Sequence, residues 1–313
     1  MAFRYINPGY VSLLADTCSS ATEVTGTAYS KTGVGFSHTK NESTISLPKV
    51  TANSEIFIRF DAYIPVNVYN FYVIVPFFMN QYGSYTTVYF NFNGSGTLAI
   101  YAPTSSTSTI LAENVRNVLK IGKINSCLIR LKCGNAGESV CEVTVNGEKF
   151  SSNTTAITYS SSNAKVAYLY STSANAIFSN VIISDSEISP KEQIIALSPV
   201  TTLTDMAASA SGIYVADAAN QFLLQSVDVS TLIENYGASS VVTGIALVGN
   251  PAYKTATGLA ALTSLSRAGT STIEHGTVNL SDDTSAVIVD GWTTEDMTIA
   301  DLQNMQFGWK AGT

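Results

Sequence analysis

Between Gly35 and Asp185 several runs place apolar residues at every second position, and no stretch there repeats with a helical period. Ile58, Phe60, Ala62 and Ile64 share one parity while Arg59, Asp61 and Tyr63 take the other. Val88, Phe90 and Phe92 alternate with Tyr89 and Asn91, and Ile129 and Leu131 alternate with Arg130 and Lys132. A period of two places alternate side chains on opposite faces of a strand, so each run reads as a half-buried strand. Two Asn-Gly pairs, Asn93-Gly94 and Asn146-Gly147, stand between such runs. Both turn positions of a tight hairpin need positive φ, which Asn and Gly tolerate best, so each pair predicts a hairpin. Further strands are expected at Phe71–Met79, Val166–Tyr170 and Val181–Ile183. Many short strands without helices imply two stacked sheets. At about 150 residues the region exceeds an immunoglobulin sandwich of about 100, which favours a jelly roll.

The pattern changes after Asp185. Residues 184–199 are polar and carry Pro190 and Pro199, and read as a connector. Beyond it, Asp228 or Ser230 can cap a helix of about two turns that Gly237 would close. Val241–Val248 reads as a buried strand stopped by Gly249-Asn250-Pro251, and Thr298 with Asp301 forms a capping-box pattern before Leu302. The expected fold class is mainly β: a jelly-roll β-sandwich followed by a smaller, β-rich α+β domain with two short helices. The expected divisions are an arm at 1–30, the sandwich at 31–187, a connector at 188–200 and the second domain at 201–313. Residues 1–30 read equally as a docking arm or as a first strand and loop of the sandwich. Asn7-Pro8-Gly9 predicts a turn, Val11–Ala15 is a short apolar stretch, and Pro103–Thr109 reads as a low-complexity loop.

Composition limits the chemistry. Charged residues are 12% of the 313, against a usual share of about 25%. Ser and Thr, about a quarter of the chain, must carry its solubility instead. With a net charge of -7 and no Lys/Arg cluster, the chain lacks the footprint that nucleic-acid phosphates require. No apolar run approaches the length of about 20 residues that spans a bilayer as a helix. The opening MAFRYINP has no basic stretch followed by an apolar run, so no secretory signal is expected. Cys127, Cys133 and Cys141 do not have zinc-module spacing. Reduced buried thiols, or a Cys133–Cys141 bridge across a hairpin, are the two readings left open.

Glu55–Ile64 (EIFIRFDAYI), Val143–Lys149 (VTVNGEK) and Phe178–Asp185 (FSNVIISD) resemble the concanavalin A-like lectin/laminin-G type of jelly roll. That resemblance implies a near-terminal strand returning to pair beside the first. Gly249–Tyr253 (GNPAY) and Met305–Gly312 (MQFGWKAG) resemble segments of uncharacterised proteins from tailed phages and prophages, near tail and appendage genes; Arg4–Tyr10 is similar in style. That resemblance implies a context and assigns no residue a role.

Candidate sites are few. Glycoside cleavage needs two carboxyls about 5–9.5 Å apart across a cleft. Glu55 and Asp61 share a parity but stand about 20 Å apart along a strand, and Asp185 and Glu187 sit in a polar stretch suited to solvent. Only His38 and His275 could serve a serine nucleophile as base, and His275 reads as a surface-loop residue. Asp282-Asp283 and the group Asp290, Glu295 and Asp296 read as acidic loops without a calcium-loop spacing. No metal, cofactor or catalytic residue is expected. Sugars stack on aromatic faces, so Tyr82, Tyr85 and Tyr89, with Trp292 in an acidic loop, are the candidates for glycan or partner contact. The leading expectation is a structural or adhesive component of a phage virion (a tail fibre, baseplate or surface appendage). It would contact other virion proteins and copies of itself, as homotrimers or higher cyclic assemblies, and host-cell glycans. A lectin-like module and a polysaccharide depolymerase are the alternatives.

Overall fold

The computed structural model describes residues 4–7, 9, 21–38, 43–46, 55–65, 70–79, 85–93, 98–104, 107–115, 118–132, 140–151, 166–171, 176–189, 192–209, 213–252, 258–280 and 286–313. They form two compact units, Met1–Ile195 and Ala196–Thr313. The chain is mainly β, and the described residues form antiparallel sheets and two short helices.

The first unit is a β-sandwich. Its strands are β1 (Arg4–Asn7), β2 (Ala21–Thr25), β3 (Val34–His38), β4 (Ser43–Ser46), β5 (Glu55–Tyr63), β6 (Asn70–Met79) and β7 (Tyr85–Asn93). They continue with β8 (Leu98–Thr104), β9 (Thr107–Val115), β10 (Ile124–Lys132), β11 (Val140–Val145), β12 (Glu148–Ser151), β13 (Val166–Ser171) and β14 (Ile177–Ser184). An eight-stranded sheet runs β12-β11-β10-β5-β14-β3-β2, with β1 also on β14, and a six-stranded sheet runs β4-β13-β6-β7-β8-β9. The near-terminal strand β14 pairs beside the first strand β1, from Arg4 opposite Ser184 to Asn7 opposite Val181. Residues 4–7 and 21–25 are therefore strands of this sheet and not a detached arm. The turn after β1 is held by Asn7 Oδ1, which accepts the Gly9 N–H at 2.8 Å. Gly9 sits at φ +148 with an added Cβ only 2.2 Å from the Val34 carbonyl oxygen, so only glycine lets this turn lie on β3.

The core follows from parity. Ile58, Ile129, Val143 and Ile183 are buried and form one row across β5, β10, β11 and β14, and the buried Phe60 and Phe178, opposite Cys127 and Ala62, lie on the same face. The other face of β5 departs from the half-buried expectation, because Phe57, Arg59 and Asp61 are buried as well. Ile188 (1% exposed) closes over Phe57, Leu128 and Ile182 with Ile194 packed alongside. The expected connector thus clings to the sandwich as far as Ile194, whose N–H donates to Asn180 Oδ1 at 2.7 Å. Burying Ile188 keeps this stretch on the sheet, despite its polar composition.

The Asn146-Gly147 hairpin joins β11 to β12 with φ 52 and 88, the positive pair such a turn requires. β7 pairs β8 as expected, and Gly94 lies outside the described residues. Pro103 and Thr104 end β8, Thr107–Thr109 begin β9, and Thr104 pairs Thr107, so these residues of the expected loop are strand. Pro76 lies inside β6, an interior strand, beside a register shift between Pro76 and Phe78 that absorbs its missing donor.

The second unit contains β15 (Pro199–Thr204), β16 (Ala207–Ala208), β17 (Tyr214–Val215), β18 (Phe222–Val227), α1 (Ser230–Tyr236) and β19 (Gly244–Ala252). After these come β20 (Ala261–Ala268), β21 (Ser271–Asn279), β22 (Ala286–Thr293), α2 (Ile299–Leu302) and β23 (Met305–Gly312). A five-stranded sheet runs β15-β18-β23-β20-β21, beside the pairs β19-β22 and β16-β17. Val229, Leu232, Ile299, Leu302 and Phe307 form one core cluster. Val241 is 66% exposed and precedes β19, so the expected buried strand at Val241–Val248 is shifted and half open. It runs through Pro251 because a register shift between Gly249 and Ala252 releases the proline from the ladder. The capping box is present: the Thr298 N–H and hydroxyl both donate to Asp301 Oδ2, at 2.8 and 2.7 Å. At α1 the N-cap position is Val229, and Asp228 instead accepts from the Ser230 N–H at 2.8 Å.

Candidate functional site

The register of the six-stranded sheet gathers tyrosines that are far apart in sequence. Tyr89 on β7 pairs Tyr101 on β8 and Ile74 on β6, and Ile74 pairs Tyr168 on β13. Asn91 pairs Tyr72, which pairs Tyr170. Residues directly opposite in a ladder share a face, as do residues two apart on one strand. Tyr72, Tyr85, Tyr89, Tyr101, Tyr168 and Tyr170 therefore occupy one face of four adjacent strands, with Asn70, Thr87, Asn91 and Asn93 between them. The opposite face carries Phe71, Val73, Val88, Phe90, Phe92, Leu98, Ile100 and Leu169. The strands β6, β7, β8 and β13 contain no charged residue.

Of the residues expected to contact glycan, Tyr85 and Tyr89 thus share this face, and Tyr82 lies outside the described residues. Tyr72, Tyr101, Tyr168 and Tyr170 were not separable in sequence from tyrosines packing a sheet edge, because only the register unites them.

Trp292 belongs elsewhere. It lies on β22, not in an acidic loop, and packs against the core cluster of the second unit. Its indole stacks on His275, with centroids 3.8 Å apart and planes 7° apart. One indole face is therefore occupied by imidazole and is not offered to a sugar.

His275 is correspondingly a half-buried residue of β21, not a loop residue. Ser266 Oγ and His275 Nε2 share a 2.7 Å hydrogen bond. That distance suits a nucleophile and its base, yet Ser266 is 3% exposed, so its hydroxyl is closed to a substrate. Asp290, on β22 and not in a loop, accepts from the Ser264 hydroxyl and from the Gly276 N–H at 3.0 Å. An added Cβ at Gly276 would stand 2.3 Å from Asp290 Oδ1, so glycine is what lets this carboxylate reach the backbone. The arrangement holds the imidazole flat against the indole.

Burial holds the His275 pKa below its ordinary value, against the opposing pull of the Asp290 carboxylate. The folded state thus favours neutral imidazole, and the unfolded chain binds more protons once pH drops toward about 6.5. The stabilisation is complete above the unfolded pKa and is lost as pH falls through the folded value. Both tryptophans, Trp292 and Trp309, lie in this unit. Denaturation followed by tryptophan emission should therefore show a midpoint that declines from about pH 8 to about pH 5, and His275→Gln should flatten that decline.

Most polar groups of the buried Arg59–Asp61 cluster in the first unit are committed to one another. Arg59 donates to Asp61 Oδ1 at 3.2 Å, to Ser126 Oγ at 2.9 Å and to the Asn180 carbonyl at 3.2 Å. Asn180 Nδ2 donates to Asp61 Oδ2 at 2.8 Å, from a residue held at φ 55 in the bulge of β14. Glu55 is held by Arg130 through two bonds of 3.1 and 2.9 Å, which lower its pKa. Asp185 and Glu187 are exposed. Burial raises the pKa of the Cys127 thiol. The side chains of Cys133 and Cys141 lie outside the described residues, as do Asp282, Asp283 and the His38 side chain. Among the described residues no cluster of three or more His, Cys, Asp or Glu is placed to hold a metal, and no helix is long and apolar enough to cross a membrane.

No family model matches this chain, and no curated protein matches its sequence. Several solved structures are similar at low identity. An endo-β-1,4-glucuronan lyase from Trichoderma reesei is 10% identical, with a TM-score of 0.44, covering 60% of this chain and 98% of its own. Domain 4 of AbnA, a GH43 extracellular arabinanase from Geobacillus stearothermophilus, solved with arabinotriose, is 12% identical at a TM-score of 0.40, covering 60% and 95%. The alginate lyase Aly36B is 11% identical at 0.33, covering 59% and 95%. These similarities are too low to carry a substrate, an activity or a residue role to this chain.

Proposed function

We propose that this protein is an adhesive structural component of a virus particle that contacts neutral glycans through the tyrosine face of its sandwich. The observation that carries the glycan half of this reading is the register that collects six tyrosines and three asparagines on one face of four uncharged strands. Tyrosine offers a flat apolar ring for the C–H face of a sugar and a hydroxyl for its rim, and asparagine amides both donate and accept. A strand set without charge has no group to pair with a uronate or a sulfate, so the ligand class is uncharged polysaccharide. The particle half rests on the similarity of the segments at Gly249 and Met305 to phage proteins, and on a surface poor in charge. Such a surface can be covered by copies of itself without stripping water from many ions.

Glycan-array binding is the test. The intact protein should bind neutral glycans and not acidic ones, and Tyr85→Ala or Tyr89→Ala should each weaken binding by about 1–3 kcal/mol per lost stacking contact, as aromatic truncations in binding faces do. A flat array, or binding unchanged in both variants, would remove the glycan half. Release of sugar from a neutral polysaccharide would replace the adhesive reading with a depolymerase.

A further inference from the structure

We propose that β15 is an assembly edge, at which a second copy of this chain pairs antiparallel about a two-fold axis through Leu203. This rests on the assembly half of the reading above and names its contact.

An open strand edge presents unpaired N–H and C=O groups and is usually blunted by charge, proline or a bulge. Among the edges of the three larger sheets, β12 carries Glu148 and Lys149, β2 carries Glu23, β9 carries Glu113 and β21 carries Glu274, while β4 (STIS) is uncharged but only four residues long. β15 (PVTTLT) carries no charge, and its first five residues are exposed. Pro199 and the register shift before Thr201 blunt only its beginning. From Thr201 to Thr204 the strand is regular and open, with Leu203 43% exposed.

The hydrogen-bond alternation fixes which residues face outward. The Asp205 N–H donates to the Phe222 carbonyl, so odd-numbered residues of this strand turn their backbone groups toward β18. On the far side of β18 the Ala311 N–H donates to the Gln221 carbonyl, in phase with that assignment. Thr202 and Thr204 therefore turn their N–H and C=O to the free edge. An antiparallel partner must place outward residues opposite outward residues; of the two-fold registers that satisfy this, the one that bonds Thr202 to Thr204 of the second copy, and the reverse, uses both open threonines of each copy. That register sets Leu203 against Leu203 of the second copy in a non-hydrogen-bonded pair, where side chains approach most closely. Asp205 falls opposite Thr201 of the second copy. The two Asp205 carboxylates then stand about 14 Å apart along the ladder, beyond a physiological screening length of about 8 Å. Charge thus permits the self-pairing. The contact joins copies two at a time, in addition to any cyclic ring they form.

Sedimentation velocity and oxidative cross-linking of the full-length protein test this. The wild type should self-associate with concentration. Leu203→Lys should raise the dissociation constant at least about tenfold by placing two like charges face to face. Leu203→Cys should give a covalent dimer on mild oxidation, since paired Cβ atoms there fall within disulfide reach, whereas Thr272→Cys on β21 should not. If the wild type associates, yet Leu203→Lys leaves association unchanged and Leu203→Cys does not cross-link, this edge is not the contact and the assembly reading stands. A wild type that is monomeric at every concentration overturns both.

Discussion

Asp61→Ala should destabilise the sandwich by about 3–5 kcal/mol, the usual cost of removing one partner from a buried ion pair. Asp61 is fully buried and Arg59 is 2% exposed. Without the carboxylate, the guanidinium keeps only the Ser126 hydroxyl and the Asn180 carbonyl, and its Nε already has no hydrogen-bond partner. Lys31 would also lose its ion pair, though with a side chain 42% exposed at 3.7 Å it contributes little. Urea unfolding followed by far-ultraviolet circular dichroism measures the loss. Replacing both members with apolar residues, as Arg59→Met with Asp61→Leu, should recover most of it, because the cost lies in the orphaned charge and not in the missing attraction. A single variant as stable as the wild type would mean that solvent reaches this cluster.

Phe178→Ala should cost a similar amount, about 3–5 kcal/mol, for a different reason. Phe178 has no exposed surface and lies between Phe36 and Phe60, with ring centroids 5.9 and 6.1 Å away. It stands on β14, which pairs β1 and β3 on one side and β5 on the other, so a cavity there undermines the strand that binds the sheet together. The same unfolding measurement applies. Phe178→Leu, which keeps most of the volume, should lose less than half as much.

Much of the sandwich was legible before any coordinate. The alternation at Ile58–Ile64 marked the core face of β5, and Asn146-Gly147 marked a two-residue hairpin, because both signals are local. The opposite face of β5 is not legible in this way. Arg59 and Asp61 look solvent-bound in a strand pattern, and nothing in their neighbourhood announces that Ile188 and Asn180 will come to that face of the sheet. In sequence His275 and Trp292 look like loop residues for the same reason. Flanking Glu274 and Gly276, or Asp290 and Gly291, suggest turns by composition, while both stretches are strands paired to partners with which they share no local signal.

What the sequence determined alone is the strand habit of this chain, its core-facing parity, its tight hairpins and its poverty of charge. Each is written in residues within a few positions of one another. Tertiary structure decided which strands became neighbours and in what register. Strand pairing is set by contacts between residues as distant as Tyr72 and Tyr170, and one residue of slip would send every side chain to the other face. The tyrosine face and the open edge at Leu203 both arise from that register.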